Sequence, residues 1–165
     1  MTHVFIHAGV VQIDGTTIIF PGFSRSGKSS LVWSFLQAGA VYYSDEYAVF
    51  DASGFVHPFP LPVHLRLARG RRLVEPTSVG FHPLAPEVIV FARYRHNAVW
   101  EPRALRPSET MLQLVRQSIG IRRNPSIVLP VLRKVSSQAR AYRGPRGETA
   151  EVLHWAQQTV KGCSY

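Results

Sequence analysis

The chain has 165 residues, one cysteine and a formal charge of +9. Hydrophobic residues make up 45% and charged residues 18%, which excludes a disordered chain, and the lone Cys163 excludes a disulfide framework and favours a reducing, cytoplasmic compartment. No apolar run reaches the length of a membrane span, and the first residues lack the basic start and apolar core of a signal peptide.

The length predicts a single domain over 1–165. Its charge divides that domain in two. Residues 1–60 carry two basic and four acidic side chains, and residues 61–165 carry 17 basic and six acidic ones. The first part reads as a nucleotide-binding core and the second as a basic, helix-rich remainder. An excess of this kind favours an anionic partner without choosing among a nucleotide, an acidic peptide, a phosphorylated metabolite and nucleic acid. A solvated basic surface is the plainer alternative.

In chain order, 4–13 reads as a strand and Asp14-Gly15 as a two-residue hairpin turn. The next strand, 16–20, is β-branched and ends on Phe20. A glycine loop follows, then a short helix over 30–38 closed by Gly39. Residues 40–44 form a strand that ends on Asp45-Glu46, and 47–50 continue as another. Asp51 to Gly54 turn the chain, and 55–60 return as an edge strand, because of their prolines. Residues 62–76 are basic and take no clear assignment. A buried strand is expected over 88–92. A helix capped by Ser108-Glu109-Thr110 runs to Ile119 and stops at Gly120. Helices over 125–138 and 148–160 flank a short strand over 139–143. Helices and strands mixed around a glycine loop predict an α/β fold, and the early hairpins predict a mixed sheet.

The glycine loop carries the chemistry. Residues 22–29 fit G-x-x-x-x-G-K-[ST], a loop whose backbone N–H groups cradle phosphates. The candidate nucleotide contacts are Gly22, Ser24, Arg25, Ser26, Gly27, Lys28, Ser29 and Ser30. Lys28 would reach the β- and γ-phosphates, and Ser29 would place its hydroxyl on Mg²⁺. A strand before the loop and a helix after it is the context in which that pattern binds phosphate. A glycine- and serine-rich turn before an ordinary helix is the alternative.

Asp45-Glu46 follows an apolar strand some sixteen residues after Lys28. One carboxylate would hold Mg²⁺ and the other would accept the proton of an attacking hydroxyl. Neighbouring residues on a strand face opposite ways, so both serve only if the strand has ended or bulged there. Two solvated acids at a strand end remain the alternative. His7 lies in a strand, where a histidine is more often a structural residue than a catalyst. The other histidines show no metal-ligand spacing.

Residues 6–10, 20–31 and 39–46 together resemble the catalytic core of the HPr serine kinase/phosphorylase family. Among its members the resemblance is closest to the HPr-kinase-related proteins of peptide-modification gene clusters. It implies a P-loop kinase core, a mixed β-sheet similar to that of ATP-dependent phosphoenolpyruvate carboxykinase. It also implies Mg²⁺-dependent transfer of a phosphoryl group from ATP to a serine hydroxyl of a protein or peptide. By position, Lys28 and Ser29 match the nucleotide loop, Asp45 the catalytic acid/base, Glu46 the metal-side carboxylate and His7 the family histidine. Related kinases assemble into oligomers. Residues 60–66 more weakly resemble a family segment that brings an arginine towards the site, and 89–95 the strand-to-helix passage of the related proteins. An arginine of the basic half, Arg66, Arg93 or Arg95, would serve the transition state, and Arg93 stands with Asp45 and His7 as a catalytic candidate. The chain departs from the family at Glu46, where the usual residue is Asp, and lacks its Glu-Val-Arg-Gly-type segment.

The expectation is therefore a cytoplasmic kinase of this type. Its partners would be ATP, Mg²⁺ and an acceptor protein or peptide, with no membrane. A nucleotide-binding regulatory module without transfer activity is the first rival. A nucleic-acid-associated ATPase is the second, and the absence of an aromatic-interleaved RNA motif disfavours it.

Overall fold

The computed structural model describes residues 2–23 and 25–162; Ser24, in the glycine loop, and Cys163 lie outside them. Ten strands and four helices alternate along these residues. Eight strands form one sheet in the order β5-β4-β1-β2-β8-β10-β9, with β3 pairing β1 beside β4. The sheet is mixed, as expected: β1 (Val4–Ile13) runs antiparallel to β2 (Thr16–Pro21), and β2 pairs parallel with β8 (Val88–Tyr94). Strand β8 pairs parallel with β10 (Arg140–Arg146), which pairs antiparallel with β9 (Arg103–Leu105).

The period-2 pattern of β1 accounts for the layering. Val4, Ile6, Ala8 and Val10 face one side, and Val11 and Ile13 the other. On the first face, Leu114 of α2 (Pro107–Gln117) and Val128, Val131, Leu132 and Val135 of α3 (Pro125–Gln138) complete a core. On the second, Leu31, Val32 and Phe35 of α1 (Lys28–Gln37) pack with Val152, Ala156 and Val160 of α4 (Thr149–Lys161). Trp100 is buried in this second core, with Trp155 edge-on against it at 5.6 Å. The result is helix, sheet, helix, with both sheet faces covered.

The first fifty residues follow the sequence reading closely. The hairpin turn places Asp14 and Gly15 at φ of 48° and 76°, which a type I′ turn requires. Differences appear further on. The return strand expected over 55–60 shrinks to β5 (Val56–His57), paired with β4 (Tyr47–Phe50) at the sheet edge. The unassigned basic stretch is a hairpin of its own, β6 (Val63–Leu67) and β7 (Gly70–Val74), outside the main sheet. The cap of helix α2 lies two residues earlier than expected. Arg106 is the cap residue, and its N–H donates to the Glu109 carboxylate at 2.9 Å. Among the described residues, no helix is long and apolar enough to cross a membrane.

Candidate active site

Topology brings the loop and the acids together. Strands β2 and β3 (Val41–Ser44) flank β1 and both run antiparallel to it, so their C-terminal ends lie at the same edge of the sheet. The glycine loop leaves one of those ends, and Asp45 leaves the other. Between them sits Gly9 of β1. A Cβ there would collide with the Cγ2 of Val32 and touch Lys28, so glycine is what lets α1 settle onto the strand.

The loop is held open from within. The Gly22 N–H donates to the His7 carbonyl at 2.9 Å, and the Ser26 N–H donates to the Phe23 carbonyl at 3.2 Å. Arg25 takes a left-handed φ of 73°, a conformation costing a non-glycine residue about 1–2 kcal/mol. Gly27 takes φ of 84° and opens α1. No described side chain caps that helix and its first turn holds no acid, so the positive end of the helix is left to an incoming anion.

Asp45 and Glu46 sit in a break between β3 and β4, two strands that otherwise form one continuous partner for β1. The Ser44 hydroxyl bridges the break, donating to the Tyr47 carbonyl and accepting the Tyr47 N–H. This interruption meets the condition set by strand alternation, and both acids line one cleft. Asp45 is 2% exposed. Its Oδ2 accepts the Ser29 hydroxyl at 2.7 Å, while its Oδ1 is buried with no partner. Burial pushes its carboxyl above the ordinary range. Lys28, the Ser29 hydroxyl and the His64 backbone N–H pull it down without reversing the shift, and Glu46 adds to the rise.

The cleft has a volume of about 180 Å³. Arg25, Gly27, Lys28, Ser29 and Ser30 line it from the loop side, and Asp45 and Glu46 face them. The β6–β7 hairpin closes the third side with His64, Arg66 and Arg71. Arg66 and Arg71 are register partners, which puts them on one face of the hairpin. Val63, fully buried in the second core, roots the hairpin there. Sequence reasoning brought Arg66 forward but not Arg71 or His64. Their signal was the alternation of Val63, Leu65 and Leu67 with His64 and Arg66, a short run beside a partner strand, Gly70 to Val74, that does not alternate.

The other candidates lie around the cleft rather than in it. The His7 ring packs between Phe23 and Tyr47, with centroid distances of 5.7 and 5.2 Å. Burial lowers its pKa and Lys28 adds to the effect, with Glu46 opposing. Gly22 and Ser26 help line a separate groove on the β8 side of the loop, and Arg93 belongs to that groove as well. Arg95 lines neither.

A further residue beside the loop also escaped the sequence reading. Arg146, at the end of β10, is 3% exposed. Its Nη2 donates to the Gly27 carbonyl at 2.8 Å and its Nη1 to the Gly147 carbonyl at 3.0 Å, with the guanidinium 5.4 Å from the Tyr94 ring centre. A Cβ on Gly27 would strike this guanidinium. Burial lowers its pKa, and its Nε has no partner. A cation buried against the loop's backbone, with no ion pair among the described residues and Glu148 only near enough to act at a distance, adds positive potential where an anion would sit.

Among the described residues, no group of three His, Cys, Asp or Glu side chains could hold a metal by itself. Mg²⁺ at a phosphate site asks for less, one or two protein oxygens with phosphate and water supplying the rest. Ser29 and Glu46 fit that demand. Ser29 donates a hydrogen bond to Asp45 and so keeps its oxygen lone pairs free.

No family model matches the chain, and no curated protein matches it. Among solved structures it is similar to the Hpr(Ser) kinase/phosphatase from Coxiella burnetii, at 12% identity and a TM-score of 0.48. The likeness covers 95% of this chain and 97% of that one. At that identity and TM-score, nothing about this chain's site or activity follows from it.

Proposed function

We propose that this protein is a small ATP-dependent kinase that transfers the γ-phosphoryl group to a serine hydroxyl of a protein or peptide, in the manner of the HPr serine kinases. One observation carries the reading. Lys28 and Ser29 of the glycine loop share a cleft with a buried aspartate whose second oxygen is free. A phosphate cradle and a general base are the two parts such a transfer needs.

The roles follow from position. The loop and Lys28 bind the β- and γ-phosphates. Ser29 and Glu46 would hold Mg²⁺, which supplies neutralisation of phosphate charge when bound. The acceptor's serine oxygen forms a new bond to the γ-phosphorus. The bond from that phosphorus to the β,γ-bridging oxygen breaks, and ADP leaves with the electron pair. The serine proton passes to Asp45 Oδ1. A carboxyl with a raised pKa suits that task, since a base works best near the operating pH. Arg66 and Arg71 face the cleft and take the charge that spreads over the transferred group. Arg93, a catalytic candidate from the sequence, lies on the other side of the loop.

The test is calorimetry of ATP binding with Mg²⁺, joined to a turnover assay. Lys28→Ala should weaken ATP by at least about tenfold, or ~1.4 kcal/mol. Equal affinity in variant and parent would remove the nucleotide site from the loop. ATP binding without turnover toward any serine peptide would favour the regulatory module, the reading that the Glu at position 46 already encourages.

A further inference from the structure

We infer that the groove on the β8–β10 side of the glycine loop docks an acidic peptide segment belonging to the phosphoryl acceptor, an inference that rests on the kinase reading above. The groove encloses about 580 Å³, within the ~300–1,000 Å³ usual for ligand sites. Four arginines from four elements converge on it. Arg25 comes from the loop, Arg93 from β8, Arg116 from α2 and Arg143 from β10. All four are exposed. Among the described residues no carboxylate lines the groove, and none of the four has an ion-pair partner.

Like charges gathered without counter-ions repel one another, so their convergence suits a ligand bearing several negative charges. A nucleobase carries none, and the phosphate cleft has its own cations in Lys28, Arg66 and Arg71. Carboxylates fit guanidinium forks well, two parallel N–H donors to two oxygens. The rest of the groove suits a peptide. Gln117 of α2 presents an Oε1 that is buried with no partner, an acceptor for a backbone N–H. Phe23 and Tyr94, 53% and 54% exposed, offer apolar walls. Single-stranded nucleic acid calls instead for cations tracking along its backbone, and these four form one compact cluster beside the loop.

Position ties the groove to the acceptor. Arg25 lines both the groove and the phosphate cleft, so a chain lying in the first is led to the second. Acidic residues flanking the serine would seat in the groove while the serine reaches Asp45.

The experiment is fluorescence anisotropy at physiological salt with two labelled peptides. One has a serine flanked by Asp and Glu, and the other carries Asn and Gln in their place. The acidic peptide should bind at least about tenfold more tightly. The double variant Arg116→Glu/Arg143→Glu should lose that preference while its ATP affinity and melting temperature hold. Both side chains are exposed, so folding should survive. Equal binding of the two peptides overturns the proposal. So does a double variant that keeps the preference, or displacement of the acidic peptide by a single-stranded oligonucleotide at lower concentration than by unlabelled peptide. Peptide binding is read without nucleotide, so the two readings fail separately. Acidic-peptide binding with no ATP binding would overturn the kinase, and ATP turnover indifferent to flanking acids would overturn the groove alone.

Discussion

The two sides of the glycine loop carry different charge arrangements. Toward β3, Lys28, Arg66 and Arg71 face Asp45 and Glu46 across a small cleft, and one of the acids is almost fully buried. Toward β8, four exposed arginines surround a groove three times the volume with no acid among the described residues. Opposed charges packed close and partly desolvated perturb one another's titration, and that is how groups are tuned for proton transfer. Like charges gathered in solvent serve attraction instead. The loop therefore separates a side fitted for chemistry from a side fitted for recognition, with Arg25 touching both.

The sharpest way to break this division is at the acids. Asp45→Asn keeps an acceptor for the Ser29 hydroxyl but removes the base. Phosphoryl transfer should fall by about 10²-fold or more with ATP binding retained. Glu46→Gln should instead raise the Mg²⁺ concentration needed for half-maximal turnover. If single-turnover kinetics exchange these two phenotypes, the roles of the pair reverse. If neither variant changes anything, the cleft is not where chemistry occurs.

A smaller effect sharpens the comparison across the loop. Arg66→Lys and Arg71→Lys keep the charge in the cleft but lose the planar fork. One of them should lower kcat by about tenfold, the order of 1.4 kcal/mol, with little change in ATP affinity. Arg93→Lys, on the far side, should leave kcat near the parent value. A scan in which Arg93 alone lowers kcat would put the transition-state cation in the groove and dissolve the distinction between the two sides.

How far this division was legible in the sequence depended on periodicity. Strands β1 to β4 show apolar runs punctuated by Asp-Gly and the glycine loop, so their bounds were readable almost to the residue. The glycine pattern and Asp45-Glu46 were readable for the same reason. The β6–β7 hairpin was not. Val63, Leu65 and Leu67 do alternate with His64 and Arg66, but the run is only five residues long and its partner, Gly70 to Val74, shows no alternation. Arg71 and His64 were lost with it. Arg146 left no signal, because Gly144 and Pro145 just before it speak against a strand. The strand tolerates them because β9 pairs only as far as Arg143, leaving Pro145 with a partner on one side alone. The groove needed the fold itself. Its arginines lie at positions 25, 93, 116 and 143, and only parallel pairing of β8 with β10 beneath α2 brings them together.

The smallest predicted effect bears on stability rather than rate, and it belongs to the cleft side alone. Burial raises the Asp45 pKa above its ordinary value of 3.8. Between that value and the raised one, the folded protein holds a proton that the unfolded chain has released. Stability must then fall as pH rises across this window, and the full penalty persists above it. Asp45→Asn cannot ionise, so it escapes the penalty. Without nucleotide or Mg²⁺, the variant should melt above the parent at neutral pH, and the gap should close as pH falls below about 4, where the parent's carboxyl is protonated in both states. Carboxylates remote from Asp45 cancel in the difference, and Glu46, which faces it, is the one that does not. Differential scanning calorimetry from pH 3 to pH 8 reads the gap. A parent more stable than Asp45→Asn at neutral pH would mean that the attraction of Lys28 and the Ser29 hydrogen bond outweigh burial. Asp45 would then be a structural partner of the loop, held ionised, and the proton of the acceptor serine would have to go elsewhere.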